Sequence, residues 1–223
     1  MPSLKNNDFR ASQAILILRV IIIFDVLMIA FDLMEMNMIL KMVKNVPVAQ
    51  NAERQNDIRQ LMLSVFYTIV SFCSGLAFLG WFHRSYSNIN RLGFERTRYA
   101  PAWTIWSFII PVINLYLPYA IVRETYKKTR ASLQHAGGVA PPVQSLSLFF
   151  SWWAFWLVSI GTSLVYLILL KLPLTKDNRI MLMTVAIISD IIDIPAAFLA
   201  TKVIMAVNRV EKGLFRMPGN QYA

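Results

Sequence analysis

The chain has 223 residues, of which 57% are hydrophobic and only 15% charged, with a net charge of +10 and a mean hydropathy of +0.51. A soluble domain of this size carries about a quarter charged residues, so composition excludes an ordinary water-soluble enzyme and implies a multi-pass membrane protein. The cations flank apolar runs and form no basic stripe interleaved with stacking aromatics, which argues against nucleic acid as a partner.

Residues 1–13 are a short polar lead. A first helix is predicted from about Ala14 to Leu40, carrying Arg19, Asp25, Asp32 and Glu35. Its apolar run is too long for a cleaved leader and reads as a retained signal anchor. Residues 41–59 form a polar connection. The second span, Leu61–Phe82, has no charge at all, and about 18 such residues suffice to cross a ~30 Å hydrocarbon core. A polar helical extension follows. Tyr99–Val122 is again charge-free, but Pro111 and Pro118 interrupt it. A basic helical stretch and the linker "AGGVAPPVQ" occupy 123–145; glycine and proline make the linker flexible. The third span, 146–170, carries Trp152, Trp153 and Trp156 near its start. The turn "KLPLTKDNR" leads to the last span, 180–206. With no internal repeat and no separate soluble domain, 1–223 reads as a single all-α membrane domain, a four-span helical bundle.

The window 99–122 decides the topology. Counted as a non-crossing elbow, it leaves only Lys41, Lys44, Arg54, Arg59, Lys171, Lys176 and Arg179 outside, with every other Lys and Arg inside. Counted as a fifth span, it erases that bias. The positive-inside rule therefore favours four spans with both termini cytoplasmic. Proline chemistry agrees, because an interior proline costs ~3 kcal/mol or more and lipid offers no water to repair the backbone. Two half-helices are expected, Pro101–Ile110 and Pro111–Tyr119, lying in the cytoplasmic interface or dipping in as a re-entrant hairpin. Trp103, Trp106, Tyr116 and Tyr119 suit headgroup depth.

The same residues carry a resemblance. "WFHRSYSN" (Trp81 to Asn88), "RYAPAWTIW" (Arg98 to Trp106), "IIPVINLYLPY" (Ile109 to Tyr119) and Arg123-Glu124 resemble the pattern of a bacterial membrane family, domain of unknown function 4328. "WWAFW", Trp152 to Trp156, resembles the tryptophan-rich start of that family's following helix. The likeness covers roughly residues 60 to 210. It implies a small polytopic bacterial membrane protein, with no assigned reaction or ligand; the bacterial inner membrane is the expected location.

Two groups of residues stand out chemically. Carboxylates inside an apolar helix cost about 2.5–3.5 kcal/mol to insert, so they face protein or water and often mark function. At about 1.5 Å per residue, Asp25 lies roughly 16 Å from the cytoplasmic end of its helix, Asp193 roughly 20 Å and Asp190 roughly 24 Å from the end of theirs. The three are expected to meet near the midplane as a proton or cation site, or as interhelical hydrogen-bonding glue. The second group is the elbow cluster Arg84, Asn88, Arg98, Trp103, Asn114 and Glu124. It suits anionic lipid headgroups, with Arg84 or Arg98 pairing Glu124 and Asn114 bonding backbone freed by the prolines.

Enzyme signatures are absent: the sequence has no phosphate loop, no HExxH and no nucleophile elbow. Cys73 stands alone, and His83 and His135 have no ligand spacing around them, so no catalytic residue, metal ligand or cofactor is assigned. The first expectation is a structural or accessory protein assembling with itself or with a membrane partner. The alternatives are an ion or proton channel or transporter using the midplane acids, and a lipid-modifying enzyme at the cytoplasmic interface.

Overall fold

The computed structural model describes residues 4–93, 95–173 and 175–217. All regular structure among them is helical: α1 (Asp8–Val43), α2 (Gln50–Leu92), α3 (Trp103–Ile109), α4 (Pro111–Asn114), α5 (Leu117–His135), α6 (Leu146–Leu169) and α7 (Lys176–Phe215). Four of these, α1, α2, α6 and α7, are long and apolar enough to cross a membrane. At 1.5 Å per residue α6, with 24 residues, is about 36 Å long and close to one crossing, whereas α1, α2 and α7, with 36, 43 and 40 residues, run about 54–65 Å and continue well beyond the ~30 Å core.

The helix ends follow capping chemistry. The Asn6 side-chain oxygen accepts the Asp8 amide at 2.8 Å and caps α1. The last turn of α1 closes when Val46 N donates to Lys41 O and Asn45 N to Met42 O, with Asn45 at φ 56°. That is the left-handed terminator for which Asn is the best residue after Gly. Thr175 opens α7, its hydroxyl accepting the Asn178 amide at 3.2 Å.

The 99–122 window does not form a rod. Ile110 is extended (φ −84°, ψ 114°), as expected of a residue forced out of the α region by the proline after it. α3 has seven residues and α4 four, about 10 Å and 6 Å of helix, far short of a crossing. One boundary differs from the sequence expectation. Pro118 does not end a half-helix; it sits in the first turn of the 19-residue α5, where its missing N–H has no helical partner to lose.

The chain folds into two compact units. One takes in the chain up to Leu18, Cys73–Trp153 and the chain from Leu199 onward; the other takes in Arg19–Phe72 and Ala154–Phe198. The first holds the elbow. Its core centres on Trp81, Phe82 and Tyr86 of α2, Ile121 and Val122 of α5, Phe149 of α6 and Val203, Ile204, Val207 and Val210 of α7. Phe78, Trp81, Phe82, Phe108 and Trp152 form a ring cluster with centroids 5.5–6.3 Å apart. Edge and offset contacts of this kind add about 0.5–1.5 kcal/mol per pair beyond area burial. Tyr119 packs on Trp153 at 5.6 Å and anchors the start of α5 to α6. The second unit has a smaller apolar cluster, Ile39, Leu182 and Met183, flanked by Met36, Tyr166 and Leu169.

Candidate functional site

The second unit contains the acids. Asp25 on α1 is completely buried, Asp190 on α7 is buried, and Asp193 is half-buried. Each contributes a carboxylate oxygen to a group whose atoms all lie within 4.8 Å of one another. Helix phase explains half of this. Asp190 and Asp193 stand at i, i+3 on one face of α7, and Pro195 interrupts the backbone just past them. The other half is packing, which turns the Asp25 face of α1 toward α7.

Few partners offset the charge. Tyr67 of α2 donates its hydroxyl to Asp193 Oδ2 at 3.3 Å. No well-formed hydrogen bond reaches Asp25 or Asp190 Oδ2, although the Tyr67 hydroxyl also stands close to Asp25 and Ser159 close to Asp193. Among the described residues no Lys or Arg forms an ion pair with any of the three. Beside them, Thr162 of α6 and Ser189 of α7 bond hydroxyl to hydroxyl at 3.0 Å. An all-oxygen trio of this kind suits a shared proton or a hard cation. For a cation with oxygens at about 2.3–2.6 Å, ligands on opposite sides stand about 5 Å apart. Three uncompensated carboxylates in a low dielectric cannot all remain charged.

The same face of α1 continues to Asp32 and Glu35, both buried. Gln60 donates to Asp32 Oδ1 at 3.0 Å, leaving Oδ2 without a partner. Glu35 is held differently. Arg179 reaches it at 3.2 Å and also approaches Glu53 at 3.7 Å and Asp57 at 3.9 Å. The cation therefore ties α1, α2 and α7 together. Arg59 lies over the Phe31 ring at 4.8 Å.

The elbow residues fall into the first unit, and the structure distributes them. Glu124 Oε1 accepts the Arg98 backbone amide at 2.6 Å and pairs with Lys128 at 2.9 Å; Oε2 accepts the Tyr86 hydroxyl at 2.9 Å. The guanidinium expected on Glu124 is therefore not the ligand: Arg98 contributes its backbone and lays its side chain over Tyr99. Burial, foremost, and the Glu124 carboxylate hold the Tyr86 hydroxyl well above its ordinary pKa. Asn114 donates to the Phe108 carbonyl at 3.1 Å, a group exposed by the helix break at Ile110. His83 Nδ1 lies 3.1 Å from Pro101 O and 3.0 Å from Thr104 Oγ1, fastening the elbow to α2. Trp103 is half-buried, whereas Trp106, Ile109, Val112, Leu115 and Tyr116 are exposed.

Asn88 and Arg84 part company. Asn88 is buried, exchanging hydrogen bonds with the Lys5 backbone and donating to Glu211 at 3.3 Å. Glu211 also receives Ser85 at 2.8 Å and Asn7 at 3.3 Å. It lies past the apolar part of α7 and is almost wholly enclosed. Burial pushes its carboxyl above the usual range, and the bonds from Ser85, Asn88 and Asn7 pull the other way.

Sequence reading did not single out Tyr67, Arg179, Glu211 or Asn7. Tyr67 had a usable signal, since a phenol in a charge-free span needs a polar partner. Glu211 had none, because one acid in a basic tail looks like a solvated face.

The family model described as Domain of unknown function (DUF4328) matches residues 44–209. The chain belongs to that family. Comparison with curated proteins and with solved structures finds no match.

Proposed function

We propose that this member of the DUF4328 family is a four-span protein of the bacterial inner membrane whose acid site passes a proton or a cation. One observation carries the reading: Asp25, Asp190 and Asp193 converge within 4.8 Å, with Asp25 completely buried and no cation among the described residues paired with any of the three. Interhelical glue would satisfy the buried carboxyls fully, since an unsatisfied one costs stability rather than adding it; here two hydroxyls, of Tyr67 and Ser159, serve three carboxyls. A site that alternately loads and unloads a positive charge needs this under-satisfied arrangement. Asp32 extends the row of carboxyls from the trio toward Glu35 along the same helix face.

Purified protein in liposomes should dissipate an imposed proton or sodium gradient faster than protein-free vesicles. Background flux with both ions removes the transport reading and leaves the assembly reading. That second reading draws on the exposed apolar side of α2, from Leu61 and Met62 through Phe66 to Phe72, which lipid, a second copy or a membrane partner would cover. The lipid-modifying alternative needs an acid and a base clustered beside Arg84; the histidine nearest that position, His83, has its Nδ1 taken up by Pro101 and Thr104.

Both termini are assigned to the cytoplasm by the distribution of Lys and Arg. With Cys73 replaced by serine and a cysteine placed at the exposed Gln134, an impermeant thiol reagent added to intact cells should leave the protein unlabelled. Labelling at Gln134 overturns this orientation.

A further inference from the structure

Arg179 is the arginine that forms ion pairs among the described residues, and the arginines of the first unit form none there. Three of these, Arg10, Arg84 and Arg91, stand on or against one face of α2. Arg10 Nη1 donates to the Gly80 carbonyl at 3.0 Å, which sets its guanidinium one turn before Arg84 on α2. Gly80, Arg84 and Arg91 are spaced by four and seven residues and share one face of α2.

Such a group repels itself. Burial, and then the charges of Arg10 and Arg91, hold the Arg84 guanidinium below its ordinary pKa; Glu211 opposes them. Glu211 is engaged by Asn7, Ser85 and Asn88, and Asp8 pairs with Lys212. The cluster lacks an anion, and guanidinium forks match phosphate oxygens two at a time.

Chain position says which phosphate. Arg10 precedes the apolar run at Ala14 by four residues, and Arg84 follows Phe82 by two. At about 1.5 Å per residue both lie within ~6 Å of the end of an apolar run, the depth of lipid headgroups. Arg91, nine residues past Phe82, stands roughly 13 Å beyond it on the same face and reaches back with its long side chain. We propose that Arg10, Arg84 and Arg91 form a binding site for the phosphate of an anionic phospholipid. The sequence had suggested headgroup contacts for the wider elbow. The structure leaves Arg84 available, engages Asn88 and Glu124 elsewhere, and adds Arg10 and Arg91.

The test is native mass spectrometry of the full chain in detergent with added phosphatidylglycerol or phosphatidylcholine. Phosphatidylglycerol should be retained preferentially. Arg84→Gln with Arg91→Gln should weaken retention roughly 10- to 30-fold, given the attraction of each cation to an anionic lipid. Lys127→Gln, outside the cluster, should not. Arg10→Gln alters one exposed side chain and should weaken retention severalfold even where the double variant fails to fold. Equal retention of the two lipids, or unchanged retention in Arg10→Gln, overturns the proposal. Displacement by millimolar inorganic phosphate overturns the lipid assignment in favour of a soluble anion.

Discussion

Asp25→Asn and Asp190→Asn should each reduce ion flux to the level of empty liposomes while leaving the thermal midpoint of the detergent-solubilised protein unchanged or raised. The reasoning follows from the trio's geometry. Three carboxyl groups within 4.8 Å form a site only through the charge they can give up or accept. An amide keeps the size and polarity of the acid but cannot take a proton and is a weaker cation ligand. Removing one carboxylate also relieves repulsion, so stability should not fall. The glue reading expects the opposite pairing: little flux in any variant, and a lower midpoint in both. Membrane hydrogen bonds of that kind average about 0.6 kcal/mol, so the drop would be small but measurable. Flux that persists at the wild-type rate in both variants sinks the assignment of these residues, whatever the protein transports.

The four long apolar helices were legible because hydropathy reports directly on the solvent a helix can tolerate. Apolar runs near Ala14, Leu61, Leu146 and Ile180 all became long helices. Their polar continuations were less legible. α2 extends from Gln50 to Leu92, well beyond both ends of its apolar run, because helix propagation adds a hydrogen bond per residue once a turn exists. The acids could be placed by depth, since rise per residue is constant along a helix. Rotation could not be placed that way. Nothing in α1 states which way Asp25 faces relative to α7, and the 4.8 Å approach depends on that angle. The phenol of Tyr67 in a charge-free span signalled that it needs a polar partner, but not that the partner is Asp193, because that contact is with another helix. The break at Ile110–Pro111 was readable from local sterics. The role of Pro118 was not, because a proline at the end of one short helix and at the start of a longer one looks alike in sequence. Glu124 illustrates a further limit. Its charge invited an arginine side chain, but the nearby backbone amide of Arg98 and the Tyr86 hydroxyl reach it first.

Glu211→Ala should lower the stability of the folded protein by about 2–4 kcal/mol, the cost of breaking a buried hydrogen-bonded network around a single hub. The carboxyl joins the N-terminal segment through Asn7, α2 through Ser85 and Asn88, and its own helix α7. Truncation strands three donors at once. Asn7 keeps the Trp81 carbonyl and Asn88 keeps the Lys5 carbonyl, which places the loss below the sum of three bonds. Glu211→Gln should cost less, because one amide oxygen still accepts, though its NH₂ then meets a donor. The glutamine variant also separates charge from shape. Burial lifts the folded-state carboxyl above the usual Glu range, so the folded chain holds its proton more tightly than the unfolded chain does. Stability from this group is then fully present below the unfolded pKa of about 4.3 and is lost as pH rises toward the folded value. The amide of the Glu211→Gln variant does not titrate. The stability of wild type relative to that variant should therefore fall between about pH 4 and the folded-state pKa, then level off. Melting curves of both proteins in one detergent across that range read the difference directly. A wild-type advantage that grows with pH would mean that the Ser85, Asn88 and Asn7 hydrogen bonds outweigh desolvation, and that the hub is a charged anchor rather than a neutral one.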